Sequence, residues 1–113
     1  MNKRDQKIEH YIAESTKLGL DLPKELIEKV TVGLGPSIHI KNSEYVSCSS
    51  TTELDTVKKS FLQKKLGLDN EESELDSAIK KVCETMGSSN RTKYRALFYA
   101  LLVTEFKKES VYA

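Results

Sequence analysis

The chain has no tryptophan, two prolines, two cysteines and two histidines in 113 residues. Each scarcity removes possibilities. Two histidines, His10 and His39, and two cysteines, Cys48 and Cys83, show no close pair with zinc-motif spacing. Two thiols cannot make a disulfide-dense secreted scaffold. No apolar run approaches membrane-spanning length, the best being "ALFYALLV", so no membrane partner is expected. The first residues, "MNKRDQKIEH", are polar throughout and carry no secretion signal. Together these features predict a cytoplasmic protein with free thiols. An excess of one charge is also missing. The net charge is +1, so no global field favours nucleic acid or an anionic membrane.

What is present reads as one helical domain over residues 1–113. Hydrophobic residues make up 38% of the chain and charged ones 31%, and the apolar residues recur at structured spacings, which excludes a disordered chain. Residues 3–18 carry Ile8, Tyr11, Ile12, Ser15 and Leu18 on one stripe, with Gly19 as the stop. Pro23 fits the first position of a second helix whose buried side is Leu26, Ile27, Val30 and Leu34. "VTVGL" alternates like a strand, but Pro23 and "KELIEK" favour helix. Pro36 ends or kinks that helix and can begin a short helical turn through His39. "KNSEYVSCSS" then reads as an irregular loop, with residues 45–48 open to an extended form.

The third helix opens on Ser50 with Glu53 three residues on, a capping box, and its stripe is Leu54, Val57, Phe61, Leu62 and Leu66. Gly67 ends it, with Leu68 placed to pack back. A fourth helix is predicted over 74–86, capped by Ser73. Leu75, Ala78, Ile79, Val82, Cys83 and Met86 form its buried face, where Cys83 serves packing, and Gly87 is its stop. A fifth runs from near Ser89 to about Lys107 with Tyr94, Leu97, Phe98, Leu101, Leu102 and Phe106 inward. Tyr99 and Val103 widen its apolar arc, as expected of a central helix. The predicted fold is an all-α compact bundle of about five helices.

Several apparent motifs fail on mechanism. "GLGPS" lacks the third glycine and the lysine–hydroxyl pair of a phosphate loop, and Pro36 removes a backbone donor. The run "DNEESELD" over 69–76 lacks the glycine and closing glutamate of a calcium loop, and acids suit a helix start. No catalytic, cofactor-binding or metal-ligating residue is assigned, and no cofactor is expected. Cys48, just ahead of the third helix, is the one candidate for thiol-dependent activity, but nothing sets a histidine beside it.

Two surface readings remain. "SSNRTKYRAL" places Arg91, Lys93 and Arg95 at the predicted start of the last helix, where the dipole disfavours cations. Free N–H groups and these cations would suit a phosphate, and Lys58, Lys59, Lys64, Lys65, Lys80 and Lys81 add positive charge. The bland alternative makes them solvated side chains or partners of carboxylates such as Glu84. Tyr99, Val103, Val111 and Tyr112 are the candidate protein interface if they are exposed together, and core if the other helices surround them. The leading expectation is a non-enzymatic domain acting through contacts with a protein partner or by self-association. Nucleic-acid or phosphoanion binding is the alternative.

"VGLGPSI", "VSCSSTTELDTVKKSFLQKKLGL", "LDSAIKKVCETMG" and "SNRTKYRALFYALLVTEFKKESV" together resemble a small bacterial family catalogued as a domain of unknown function, DUF2853. The resemblance spans about nine-tenths of the chain, most specifically in "KKLGL" and the arginine–tyrosine pattern after Asn90. It implies a small, mostly helical domain and brings no activity, cofactor, partner or functional residue.

Overall fold

The computed structural model describes residues 2–87, 89–90 and 92–112. It is all-α. Six α-helices follow one another among the described residues: α1 (Lys3–Leu18), α2 (Lys24–Leu34), α3 (Lys41–Glu44), α4 (Thr51–Thr56), α5 (Glu72–Thr85) and α6 (Arg95–Glu105). Two short 3-10 turns, Gly35–His39 and Glu109–Tyr112, complete the helical parts together with a π-helical stretch, Val57–Lys65, that continues α4.

α1 has the bounds its stripe predicts. Asn2 caps it by accepting from the Asp5 N–H at 2.8 Å, and Gly19 closes it in the left-handed region at φ 67°. Pro23 stands one place earlier than expected, as the N-cap of α2 rather than its first residue. The strand-like alternation of "VTVGL" yields to helix, and the chain turns at Gly35 into the short helical turn that Pro36 invites.

The third predicted helix exists, with a different winding in its second half. The bond from the Leu66 N–H to the Phe61 carbonyl spans five residues. Val57, Phe61, Leu62 and Leu66 are all buried, and their spacing suits a turn of between four and five residues. Beyond Gly67, the Leu68 N–H returns to the Leu62 carbonyl at 3.0 Å and closes the helix end as a Schellman-type stop. Only half of the capping box forms. Ser50 accepts from the Glu53 N–H at 3.2 Å, while the Glu53 side chain goes to Arg95 instead. α5 begins at Glu72, with Glu71 rather than Ser73 at the cap position.

The last helix departs most from its expectation. It starts at Arg95, not near Ser89, and ends at Glu105, not Lys107. Asn90 is the physical reason at the front. Its side-chain amide donates to the Met86 carbonyl, and its oxygen accepts from both the N–H and the hydroxyl of Thr92. Such local bonds give the backbone an alternative to helix. Tyr94 then forms an isolated antiparallel bridge with Tyr45, and the Val46 N–H donates to the Lys93 carbonyl at 2.8 Å. Residues 45–46 are therefore extended, one of the two forms the sequence left open.

α6 is the central helix. It packs on α2 and α5 and also touches α1 and α3. Ala96 to Ala100, Leu102 and Val103 are buried along it, and Phe61 stacks on Tyr99 with ring centroids 3.8 Å apart. No helix of the described residues is long and apolar enough to cross a membrane.

Candidate functional site

The two cysteines are not free. Cys48, in the turn before α4, is bonded to Cys83 on α5, with Cα atoms 6.1 Å apart across 35 residues of sequence. This corrects two expectations at once, free thiols and a purely packing Cys83. The sequence reading put the two in separate contexts, a loop and a core stripe. In the fold Tyr45 pairs with Tyr94, and the 45–48 segment runs on to the bond with Cys83 on α5. A thiol nucleophile at Cys48 is likewise absent while the bond stands.

The cations singled out at "SSNRTKYRAL" are dispersed by the true start of α6. Arg91 lies outside the described residues. Arg95 turns inward: its Nε donates to the Ser43 carbonyl at 2.8 Å, one Nη to the Tyr99 hydroxyl at 2.8 Å, and the other to the Tyr45 carbonyl and the Glu53 carboxylate. It staples α6 to α3 and α4, and an anion would have to displace these partners. Lys93 is only 5% exposed, and its ammonium donates to the Asn90 carbonyl. Burial pushes that ammonium below its ordinary value.

The candidate interface is also divided. Tyr99 and Val103 are core residues at 7% and 0% exposure, because α2 and α5 enclose α6. Val111 is exposed, and Tyr112 lies half-buried with Lys65 over its ring.

Some of the helix lysines are engaged. Lys58 meets Asp55, Glu72 and Asp76 at 3.8, 3.4 and 3.2 Å, which gives the acidic start of α5 a structural use. Lys59 pairs with Asp55 and Lys81 with Glu105. Lys80 is exposed and has no ion pair among the described residues, and the same holds for Lys41 on α3.

Those two lysines lie on one cleft. Its volume is about 910 Å³, and its walls are the 41–49 segment, the last turns of α5, and Ser89, Asn90 and Lys93. Among the described residues, Lys41, Lys80 and Lys93 line it with a single carboxylate, Glu84. Tyr45 and Val46 give it an apolar strip, and the Cys48–Cys83 disulfide forms part of its wall. A smaller cleft of about 420 Å³, between α4 and α5, also reaches Cys48, Cys83 and Lys80, so the two hollows meet at the disulfide. Three cations to one anion make the larger cleft locally electropositive in a nearly neutral protein.

A second polar cluster is partly buried. The Tyr11 hydroxyl donates to Glu44 at 2.6 Å, and the Lys7 ammonium reaches the same carboxylate oxygen at 2.8 Å. Tyr94 shares a 2.8 Å hydrogen bond with the His10 Nε2 and packs against Tyr11 and Tyr45. Burial, with the Glu44 charge beside it, raises the Tyr11 phenol far above its usual range, and burial raises Tyr94 to about 12. These groups satisfy one another and tie α1 to α3 and to the start of α6. Among the described residues no group of three metal-ligating side chains forms.

Sequence reasoning missed Lys41 and the pairing of the cysteines. Lys41 sits in a stretch read as loop, and nothing local announced that Cys83 bonds to Cys48. The family described as protein of unknown function (DUF2853) matches residues 10–110, and the chain belongs to that family. No curated protein matches the chain.

Proposed function

We propose that this DUF2853 member is a non-enzymatic interaction domain whose lysine-lined cleft takes an acidic segment of a partner protein. One observation carries the reading: Lys41 and Lys80 line the same cleft with no ion pair among the described residues. Buried Lys93 adds its charge at the cleft wall. Tyr45 offers the apolar contact that a peptide side chain uses, and a charged rim steers the encounter. A nucleic-acid duplex presents a long phosphate track, which three lysines on one short cleft match poorly. Arg95, once the best cation for that role, is committed to the interior.

Self-association is the second form of this reading. Asp69, Glu71 and Glu74 are exposed on the loop before α5 and its first turn, opposite in charge to the cleft of a second copy. A cytoplasmic setting and a bacterial source belong to the same proposal, and cell fractionation tests the first.

The binding test uses fluorescence anisotropy with a labelled peptide rich in Asp and Glu, and a labelled DNA duplex as competitor, at two salt concentrations. The expected result is salt-sensitive peptide binding that weakens about tenfold in the Lys41→Gln/Lys80→Gln double variant. Tighter binding of the duplex would replace the protein partner with nucleic acid. Absence of binding to either by the wild type at low salt would overturn the cleft as a docking site, and a salt-sensitive dimer in sedimentation would favour the second copy.

A further inference from the structure

We infer that the Cys48–Cys83 disulfide is a thiol–disulfide exchange site for a small thiol that carries a carboxylate. Two clefts, about 910 and 420 Å³, converge on this one bond, and both sulfurs belong to half-buried residues, so a small molecule can approach. Exposed disulfides are the more readily exchanged ones. This one joins the turn before α4 to a helix whose apolar face, Leu75, Ala78, Ile79 and Val82, is buried in the core.

Lys80 lines both clefts and stands one turn before Cys83, three residues back on the same face of α5. Its ammonium has no ion pair among the described residues, so it is available both to the carboxylate of an incoming thiol and to a sulfur anion. Lys41 lies on the wall of the larger cleft. That arrangement distinguishes the two sulfurs. A thiolate attacks the Cys48 sulfur, a new S–S bond forms between the small thiol and Cys48, and the Cys48–Cys83 bond breaks. The Cys83 sulfur departs with the electron pair as a thiolate beside Lys80 and then takes a proton from water. A second molecule of the small thiol, as thiolate, attacks its own sulfur in the mixed disulfide. The small-molecule disulfide leaves, and Cys48 leaves as a thiolate that water protonates. Two electrons pass from the two small thiols to the protein, and the reverse sequence restores the bond. A neighbouring cation speeds such a step by stabilising the leaving thiolate.

The exchange is measured on the full oxidised chain without denaturant and without any peptide, so its outcome is independent of the acidic-segment reading. The protein is treated with reduced glutathione, with neutral 2-mercaptoethanol and with cationic cysteamine. The reactions are quenched by alkylation and mapped by mass spectrometry. The expected result is a transient glutathione adduct on Cys48, with a rate per thiolate about tenfold above that of cysteamine. Lys80→Gln should lower the approach advantage of glutathione over 2-mercaptoethanol while leaving the helical spectrum unchanged. Thiols that appear only once denaturant is added would overturn the site and leave a structural bridge. Equal rates per thiolate for the three reagents, insensitive to Lys80→Gln, would overturn the part assigned to the lysine and with it the preference for a carboxylated thiol.

Discussion

The Arg95 guanidinium meets the Glu53 carboxylate across 42 residues of sequence, and the same guanidinium holds Ser43, Tyr45 and Tyr99. One side chain thereby fixes three elements, α3, α4 and α6, around the segment that leads to Cys48. The Arg95 side chain is 12% exposed and that of Glu53 26%, so the pair is only partly screened by water. Arg95→Met should cost roughly 3 kcal/mol, because it strands Glu53 and two carbonyls in a poorly hydrated place. Glu53→Gln should cost less, since an amide can still accept from Arg95. A double-mutant cycle in urea unfolding checks the pair, and additive losses would mean that the two side chains are not coupled.

Alkaline pH should unfold this protein cooperatively. Burial raises the phenols of Tyr11, Tyr94, Tyr99 and Tyr112, with Tyr94 and Tyr112 pushed up to about 12 from an ordinary value of 10.0. A phenol whose folded value is raised keeps its proton longer in the native state. Its contribution is intact below about pH 10 and is lost as pH rises through the folded value. Unfolding midpoints in urea should be level from pH 7 to about 9 and fall steeply toward 12. Tyr11→Phe should flatten that fall while lowering stability at pH 7 by about 1–2 kcal/mol, because Glu44 loses its closest donor.

Lys93 should behave in the opposite sense. Its ammonium is held away from water, its value is lowered by burial, and a backbone carbonyl is its hydrogen-bond partner. The folded state therefore bears a cost that is full below the lowered value and fades as pH approaches the ordinary 10.5. Lys93→Met should raise stability at pH 7 by on the order of 1 kcal/mol, and the gain should shrink near pH 10. The same variant should weaken binding of an acidic peptide. Thermal unfolding and anisotropy on one preparation read both effects, and a less stable Lys93→Met would show that the cation is well solvated in place.

Reduction of Cys48–Cys83 should loosen the protein without unfolding it. Opening a crosslink that spans 35 residues returns chain entropy to the unfolded state, worth about 3–4 kcal/mol. The core residues of α2, α5 and α6 form one cluster, and Cys48 and Cys83 pack against its edge. Urea unfolding of the alkylated dithiol form should keep a cooperative transition at a lower midpoint. Loss of the transition altogether would make the bridge essential to the fold.

Helix existence was legible in this sequence wherever an apolar stripe ended on a positive-φ glycine. α1 stops at Gly19 and the π-helical stretch at Gly67, both in the left-handed region, as the glycine signals predict. The start of α6 was misread because "SSN" resembles a helix cap, while Asn90 in fact spends its side chain on a turn. A capping pattern specifies local hydrogen bonds, and the same residues can make those bonds in a turn. The candidate site was far less legible. Arg95 looked like a surface cation until Glu53, Ser43 and Tyr45 arrived from distant parts of the chain. Free lysines are distinguished from engaged ones only by which carboxylates the packing brings near, as Lys58 and Lys80 show on adjoining helices. The disulfide is of the same kind, a long-range pairing with no local signature.

The most direct test of the lysine cleft is backbone amide NMR of the oxidised protein during titration with an acidic peptide. The account predicts shifts confined to residues 41–49, the last turns of α5 near Lys80 and Glu84, and Ser89, Asn90 and Lys93, all weakening together as salt is raised. Shifts centred on the 109–112 turn, or none at peptide excess and low salt, would contradict it.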